Sequence, residues 1–259
     1  MRQPPNPATT DLELTYTTSG YSGPMGSNPL CDVAGQSPLK VLDWKLGSMS
    51  EFIVSSAPSA GYTPDKLSRC GVAQWARSDL NLTWLQLQRT NVRQDSAPYL
   101  GTGGASVFQD WMGVFWKYSW ASPTHGQVAD HIWDAQTDPA NTYPAKAGKA
   151  VPGRNSSGKP LTRLANQTVW DTEANTRRAD TTRIRTAACD AITPRPPDGW
   201  QCDEYPFAST WEGAGLGDGN YSLRYVAPGH NLEAGTMLGQ WYLDERIIHR
   251  EAFYTEIAP

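Results

Sequence analysis

The sequence predicts an α+β protein with a β-rich N-terminal domain and a mixed C-terminal domain. The 259 residues include 23 Gly, 20 Pro, 11 Trp and 11 Tyr, and only 19% are charged. This composition is typical of loop-rich, β-containing proteins rather than of helical bundles or disordered chains. Apolar and polar residues alternate up to about residue 122, and helical spacing begins beyond it. We therefore expect two domains, residues 1–122 and 123–259.

The N-terminal domain is predicted to be a sandwich-like or curled antiparallel sheet. Its first strand covers Leu12 to Tyr16, and PLKVLDWKLG, SEFIVSSA and VAQWARSDLNLTWLQLQRT continue the β pattern. The segment ASVFQDWMGVFWKYSWAS is aromatic and also favours strands. We expect Trp111, Trp116 and Trp120 to pack in a core, with stacking on sugars or bases as the alternative.

The C-terminal domain combines helices with short strands. A helix is predicted from Gln127 to Ala135, and a second helix begins at Asn166 or Thr168 and reaches Cys189 before ITPRPPDGW ends it. CDEYPFAST and YSLRYV then predict two strands around the glycine turn EGAGLGDGN. HNLEAGTMLGQWYLDERII predicts a helix, and FYTEI a last strand.

The charge distribution argues against binding nucleic acid through bulk positive charge. The net charge is −4; residues 1–125 carry nine basic and nine acidic side chains, and residues 126–259 carry thirteen and seventeen. An enzyme whose acidic residues bind a metal remains open. No run of ~20 apolar residues predicts a membrane span. MRQPPNPATT has no charged-then-apolar signal pattern, so an exported form is expected to have lost its leader or to use another route.

The four cysteines favour two disulfides. Their even number, two in each half, predicts the pairs Cys31–Cys70 and Cys189–Cys202, with four buried thiols in a cytosolic protein as the alternative. There is no CxxC pair, which disfavours a zinc finger.

The candidate site begins at two adjacent carboxylates, Asp203 and Glu204. On a strand they point to opposite faces. A hairpin with a carboxylate, followed by a helix that starts near Asn231, is a layout suited to metal-dependent phosphodiester hydrolysis. That reaction needs a general base and a cation that neutralises charge on the phosphate. Carboxylate and amide oxygens suit Mg²⁺, which keeps several waters and needs few protein ligands.

CDEYPFAST, followed by WEGAG and YSLRYVAPGHNLEAGTMLGQWY, resembles the NucA/NucB type of secreted bacterial deoxyribonuclease in its actinobacterial form. GKPLTRL and the Arg-rich helix resemble the region upstream of that signature. The resemblance covers about residues 127–257. It implies a small, non-specific endonuclease with a ββα-metal (His-Me finger-like) core that uses Mg²⁺ or Mn²⁺, with Asp203 as general base and Asn231 at the metal.

Other roles implied by the resemblance are less sharply defined. Glu204 and Glu212 match family carboxylates, and at least one is expected to contact the metal. Gln240 is expected to face the same cleft. His230 departs from the family pattern, in which an acidic or polar residue often precedes the Asn; it either assists proton transfer, contacts phosphate or is a surface residue.

Each assignment has a structural alternative. Asn231 is also a good helix N-cap, and Glu212 also suits a turn. An Asp is normally ionised at neutral pH, so a base role for Asp203 requires an upward pKa shift through burial or a neighbouring carboxylate. His125, His131 and His249 lack metal-ligand spacing and are interpreted as structural. Five arginines are candidates for phosphate binding, with a solvated surface as the alternative: Arg177, Arg178, Arg183, Arg185 and Arg224.

The sequence therefore predicts a metal-dependent DNA endonuclease, either secreted or delivered as an antibacterial toxin domain. Partners beyond DNA would be a cognate inhibitor or a delivery apparatus. Two alternatives stay open: a secreted carbohydrate-binding or glycoside-cleaving protein, and an inactive nuclease fold used as a binding module. A glycosidase needs two carboxyl groups ~5–10 Å apart across a cleft, which Asp203 and Glu204 alone do not supply.

Overall fold

The computed structural model describes residues 11–21, 31–34, 37–40, 53–56, 65, 67–78, 81–101, 103–166 and 168–258. Contacts divide the chain into two units. The first consists of residues 1–98 and 102–111, and the second of residues 99–101 and 112–259. The mixture of strands and helices agrees with the predicted α+β class.

The first unit is β-structured in its described part. Its strands are β1 (Asp11–Tyr21), β2 (Cys31–Ala34), β3 (Ser37–Lys40), β4 (Ile53–Ser56), β5 (Ser68–Ser78), β6 (Asn81–Asp95) and β7 (Ala105–Phe108). Five of them form an antiparallel sheet in the order β3-β1-β5-β6-β7, and β2 pairs with β4. A face-to-face arrangement of the two sheets, as in a sandwich, stays a prediction.

Several predicted features of this unit lie partly outside the described residues. The segment PLKVLDWKLG is described only as far as Lys40, and SEFIVSSA only from Ile53 to Ser56. Cys70 is buried and disulfide-bonded, but the side chain of Cys31, its predicted partner, is outside the described part.

The second unit contains three helices and five strands in its described part. These are β8 (Gly113–Ser119), α1 (Gly126–Thr137), β9 (Leu161–Thr162), α2 (Thr172–Asp190), β10 (Gln201–Tyr205), β11 (Ser222–Val226), α3 (Pro228–Asp244) and β12 (Ala252–Ala258). β12 lies between β8, to which it is parallel, and β9, to which it is antiparallel. β10 and β11 form a separate antiparallel hairpin, and α3 follows directly after it.

The sequence placed β8 in the N-terminal domain, but β8 pairs with the last strand of the second unit, and the division between units falls at residue 111. The expected core packing of the tryptophans is wrong. Trp111 is 86% exposed and Trp116 66% exposed. In β8 the buried residues are Phe115 and Tyr118, so Trp116 faces solvent. Trp120, which follows the end of the strand, is also exposed.

Helix starts differ from the prediction because of capping. The second helix begins at Thr172, not at Asn166 or Thr168, because the Asp171 side chain accepts a hydrogen bond from Ala174 N at 3.0 Å.

The third helix begins at Pro228, a residue suited to the first helical position because the missing N–H needs no partner there. Ala227 is its N-cap, and Asn231 lies in the first turn. The N-cap interpretation of Asn231 is therefore wrong.

One hydrophobic core holds the hairpin against α1, α3, β8 and β12. Aromatic rings contribute heavily: Tyr205 and Phe207 pack edge to face with centroids 5.3 Å apart. The predicted disulfide between Cys189 and Cys202 is confirmed and joins the last turn of α2 to β10. Every helix among the described residues is too short or too polar to span a lipid bilayer.

Candidate active site

A cavity of about 380 Å³ lies where β10, α2, α3 and the segment after β9 meet. It brings together Asp203 and Asn231, which the sequence predicted to share a site. Two arginines, a second carboxylate and several small residues also line the cavity. Its lining is Arg163, Leu164, Ala165, Asn166, Arg185, Cys202, Asp203, Glu204, Phe207, Ala208, Ser209, Asn231, Gly235, Leu238, Gly239 and Tyr242.

Asp203 sits at the centre of β10, and its side chain is 12% exposed. Its Oδ2 lies 2.6 Å from Nδ1 of His131 on α1, and that imidazole is fully buried. The other imidazole nitrogen, Nε2, lies 2.8 Å from Oγ of Ser222 on β11. A buried hydrogen-bond network of His131 and Ser222 thus holds the Asp203 carboxylate in place.

Glu204 is 5% exposed. Its Oε1 accepts a hydrogen bond from Ala214 N at 2.6 Å, whereas Oε2 is buried without a hydrogen-bond partner among the described residues. Gly213 makes room for this carboxylate, since a Cβ there would lie 2.9 Å from Oε1. Burial raises the pKa of Glu204 to about 7, and the negative charge of Asp203 adds to this shift. The Ala214 hydrogen bond and the positive charge of Arg185 act in the opposite direction.

Asn231 lies in the first turn of α3, where its Nδ2 donates to Oε1 of Gln201 at 2.9 Å. This bond occupies the nitrogen of the amide and leaves the oxygen for another partner. Asn231, Asp203 and Glu204 together offer hard oxygen donors, the type that Mg²⁺ and Mn²⁺ prefer.

The cavity offers oxygen donors but few acidic side chains for a divalent cation. Among the described residues, no group of three or more His, Cys, Asp or Glu side chains is placed to bind a metal ion. The unpartnered oxygen of Glu204 is a buried acceptor that a cation would satisfy. One or two protein oxygens suffice for Mg²⁺, so these residues fit a largely hydrated ion.

Two arginines border the cavity. Arg185, on α2, was predicted to bind phosphate. Arg163 was not predicted. Its guanidinium lies 4.2 Å from the centroid of the Tyr242 ring and donates to the carbonyl of Ile247. Arg163 lies within GKPLTRL, the segment that resembles the region upstream of the signature, so this resemblance is the sequence feature that points to Arg163.

Three predicted residues lie away from the cavity. Glu212 accepts from Thr162 N at 2.7 Å, and burial raises its pKa. Gln240 is exposed and donates to Asp244 on the same helix. His230 accepts at Nδ1 from Gln127 N at 3.3 Å, which links α3 to α1.

The remaining predicted arginines have structural contacts. Arg177 stacks on Trp211, Arg178 donates to Ala165 O and Thr168 Oγ1, and Arg183 pairs with Asp180 on an exposed surface. Arg224 pairs with Asp134 of α1 at 2.6 Å.

His131 is the main site residue that the sequence analysis missed, since it was interpreted as structural. It contacts Asp203 across 72 residues of chain, and no motif links the two positions. The other two histidines so interpreted make hydrogen bonds outside the cavity. Nδ1 of His125 lies 3.0 Å from Oγ of Ser122, and Nε2 of His249 lies 3.0 Å from Oδ2 of Asp171.

Residues 151–255 match the family model described as Deoxyribonuclease NucA/NucB. The matched segment contains Asp203, Glu204 and Asn231, and it begins after α1. The match agrees with the resemblance predicted from the sequence; the actinobacterial form stays a prediction. Comparisons with curated proteins and with solved structures found no match.

Proposed function

We propose that the protein, whose residues 151–255 match the family model of NucA/NucB deoxyribonucleases, is a divalent-metal-dependent, sequence-tolerant DNA endonuclease. Its proposed active site is the cavity lined by Asp203 and Asn231. The observation that carries the proposal is this convergence within the matched segment, beside a buried carboxylate oxygen without a partner. The order β10, β11, α3 supports a ββα-metal core, with Asp203 where most such enzymes have His.

Asp203 is the proposed general base. His131 holds one of its carboxylate oxygens, which leaves the second oxygen to accept a proton from the attacking water. Water within hydrogen-bond reach of that oxygen would lose its proton as it attacks phosphorus. The cleaved bond is the one between phosphorus and O3′ of the sugar. The departing oxygen takes a proton from solvent water, so we expect one product with a 3′-hydroxyl and one with a 5′-phosphate.

Asn231 and Glu204 are the proposed holders of Mg²⁺ or Mn²⁺. When bound, the ion supplies neutralisation of the negative charge that develops on the phosphate and the leaving oxygen. Glu212 and Gln240 are left out of this set because their side chains are held by partners outside the cavity.

Arg185 is the proposed phosphate contact, since a guanidinium suits bidentate binding of phosphate oxygens. Its position in the cavity places a positive charge near the carboxylates without requiring a basic surface. This local arrangement reconciles DNA binding with a net charge of −4.

We also propose that the protein acts outside the cytoplasm, as a secreted nuclease or as a toxin domain delivered to other cells. The Cys189–Cys202 disulfide and the disulfide-bonded Cys70 support an oxidising setting. A cognate inhibitor or a delivery apparatus would be the corresponding partner.

Plasmid degradation tests the proposal. Oxidised wild-type protein should convert supercoiled plasmid to nicked, linear and then fragmented DNA with Mg²⁺ or Mn²⁺, and EDTA should stop the reaction. Asp203→Ala should be inactive while retaining the wild-type circular dichroism spectrum. Cleavage that EDTA leaves unchanged would exclude the metal mechanism. A wild type that binds but does not cleave DNA would instead be a binding module.

A further inference from the structure

We propose that His131 is a positioning residue for Asp203. Its Nδ1–H donates to one carboxylate oxygen and so aims the other oxygen at the attacking water. This inference rests on the proposed role of Asp203 as general base. It also extends the functional unit beyond the matched segment, because His131 precedes residue 151.

His131 and Asp203 differ in their access to the cavity. The His131 side chain is 0% exposed and does not line the cavity, whereas Asp203 is 12% exposed and does line it. A separation of 2.6 Å between Nδ1 and Oδ2 is short for a hydrogen bond between nitrogen and oxygen, as expected when one partner is charged. The imidazole therefore acts on Asp203 and does not contact the DNA.

The hydrogen-bond partners fix the proton on the imidazole. An ionised carboxylate can only accept, so Nδ1 must carry the proton that it shares with Asp203. Nε2 then accepts from the hydroxyl of Ser222, which is 1% exposed and can donate. This tautomer satisfies both nitrogens of the buried imidazole.

Helix α1 is anchored to the site by further polar contacts. Asp134 lies one turn after His131, on the same face of α1, and pairs with Arg224. At the start of the helix, Oε1 of Gln127 accepts from Ala227 N at 2.7 Å, at the N-cap of α3. The helix is thus tied to the hairpin and to the helix that carries Asn231, which gives His131 a fixed position relative to Asp203.

Two substitutions in the full chain distinguish positioning from packing. His131→Asn keeps a donor near Nδ1, because the Asn side-chain nitrogen occupies a similar place, whereas His131→Leu keeps volume and removes the donor. We expect His131→Leu to lower kcat by roughly 100-fold with KM for DNA within about twofold, since misplacement of a catalytic group by about 1 Å has an effect of that size. His131→Asn should retain kcat within about tenfold of wild type.

Two results would overturn the inference: His131→Leu as active as wild type, or folded His131→Asn as inactive as His131→Leu. These differ from a failure of the proposed function, in which wild-type protein itself does not cleave DNA.

A second measurement does not depend on activity. The ¹⁵N chemical shifts of the His131 imidazole should show a protonated Nδ1 and an unprotonated Nε2, and Asp203→Ala should shift the Nδ1 resonance. A protonated Nε2 with a bare Nδ1 would contradict the assigned hydrogen bond. This readout stands even where a substitution at His131 prevents folding.

Discussion

Asp203 and Arg224 are direct cross-strand partners in the hairpin, and one helix holds both of them. In the register of β10 and β11 these residues lie opposite each other. His131 of α1 contacts Asp203, and Asp134 of the same helix pairs with Arg224. Directly opposed side chains in an antiparallel pair lie on the same face of the sheet. The face that carries the proposed base is therefore braced by α1.

Replacing Asp203 by Asn should remove cleavage without unfolding the protein. The amide cannot accept the proton of water, and loss of a general base typically costs 10²–10⁴-fold in rate. The measurement is kcat on plasmid DNA with Mg²⁺, accompanied by a thermal melt. Asp130→Asn is the matched control, because Asp130 is an exposed carboxylate on α1 next to His131. Equal losses in both variants would contradict a specific role for Asp203.

The sequence predicts those site residues that lie close together along the chain. Asp203 and Asn231 belong to one hairpin and the helix after it, so a short stretch of chain defines both positions. His131 comes from a helix 72 residues earlier. Only the packing of α1 on the hairpin brings it to Asp203, and no spacing in the sequence encodes that contact.

The sequence also did not predict which face of a strand is buried. The aromatic composition of the segment around Trp116 correctly predicted a strand, but Phe115 and Tyr118, rather than Trp116, face the core. Aromatic residues stand on both faces of β8, so composition cannot identify the buried face.

Glu212 does not line the cavity, although it lies in the loop that follows β10. Its carboxylate instead accepts a hydrogen bond from Thr162 N, and the sequence gives no sign of that partner.

Arg185→Ala should weaken DNA binding more than Arg183→Ala, although both arginines lie on α2. Arg185 lines the cavity, whereas Arg183 is 71% exposed and pairs with Asp180. Loss of one phosphate contact should raise KM roughly tenfold and reduce the slope of log K against log salt by about one. KM measured between low and physiological salt checks this. Indistinguishable salt slopes for the two variants would contradict a phosphate contact at Arg185.

Glu204→Gln should stabilise the metal-free protein at pH 8 and have little effect at pH 5. The folded pKa of Glu204 is about 7, above its ordinary value of 4.5, because of burial. Below pH 4.5 both states are protonated, and no stability is lost. Between pH 4.5 and 7 the unfolded state ionises first, so the folded state loses stability as pH rises.

A pKa shift of this size lowers the free energy of unfolding by at most ~3 kcal/mol above pH 7. Because Gln does not ionise, the substitution should restore part of that lost stability. Urea unfolding at pH 5 and pH 8 in EDTA is the measurement. Glu233→Gln, on the exposed side of α3, controls for a general change in net charge. A gain that is the same at both pH values would mean that ionisation of Glu204 is not the cause.

The Cys189–Cys202 disulfide should stabilise the second unit and hold the start of β10. It closes a short loop, with a sequence separation of 13, between α2 and the residue directly before Asp203. Replacing both cysteines by Ser should lower the free energy of unfolding by about 2–4 kcal/mol. It should also lower kcat, because the strand that carries Asp203 loses one of its anchors. Urea denaturation and plasmid cleavage under non-reducing conditions check both effects, and an unchanged midpoint with unchanged kcat would contradict them.

The central claim is that Glu204 and Asn231 hold one cation beside the proposed base Asp203, and the location of Mn²⁺ in crystals of the wild-type protein tests it most directly. Anomalous diffraction should show a Mn²⁺ peak inside the cavity, with the amide oxygen of Asn231 and a carboxylate oxygen of Glu204 both within direct or water-bridged reach. The peak should disappear in Asn231→Ala and persist in Gln240→Ala. A Mn²⁺ ion bound elsewhere, or an empty cavity at concentrations that support cleavage, would contradict the account.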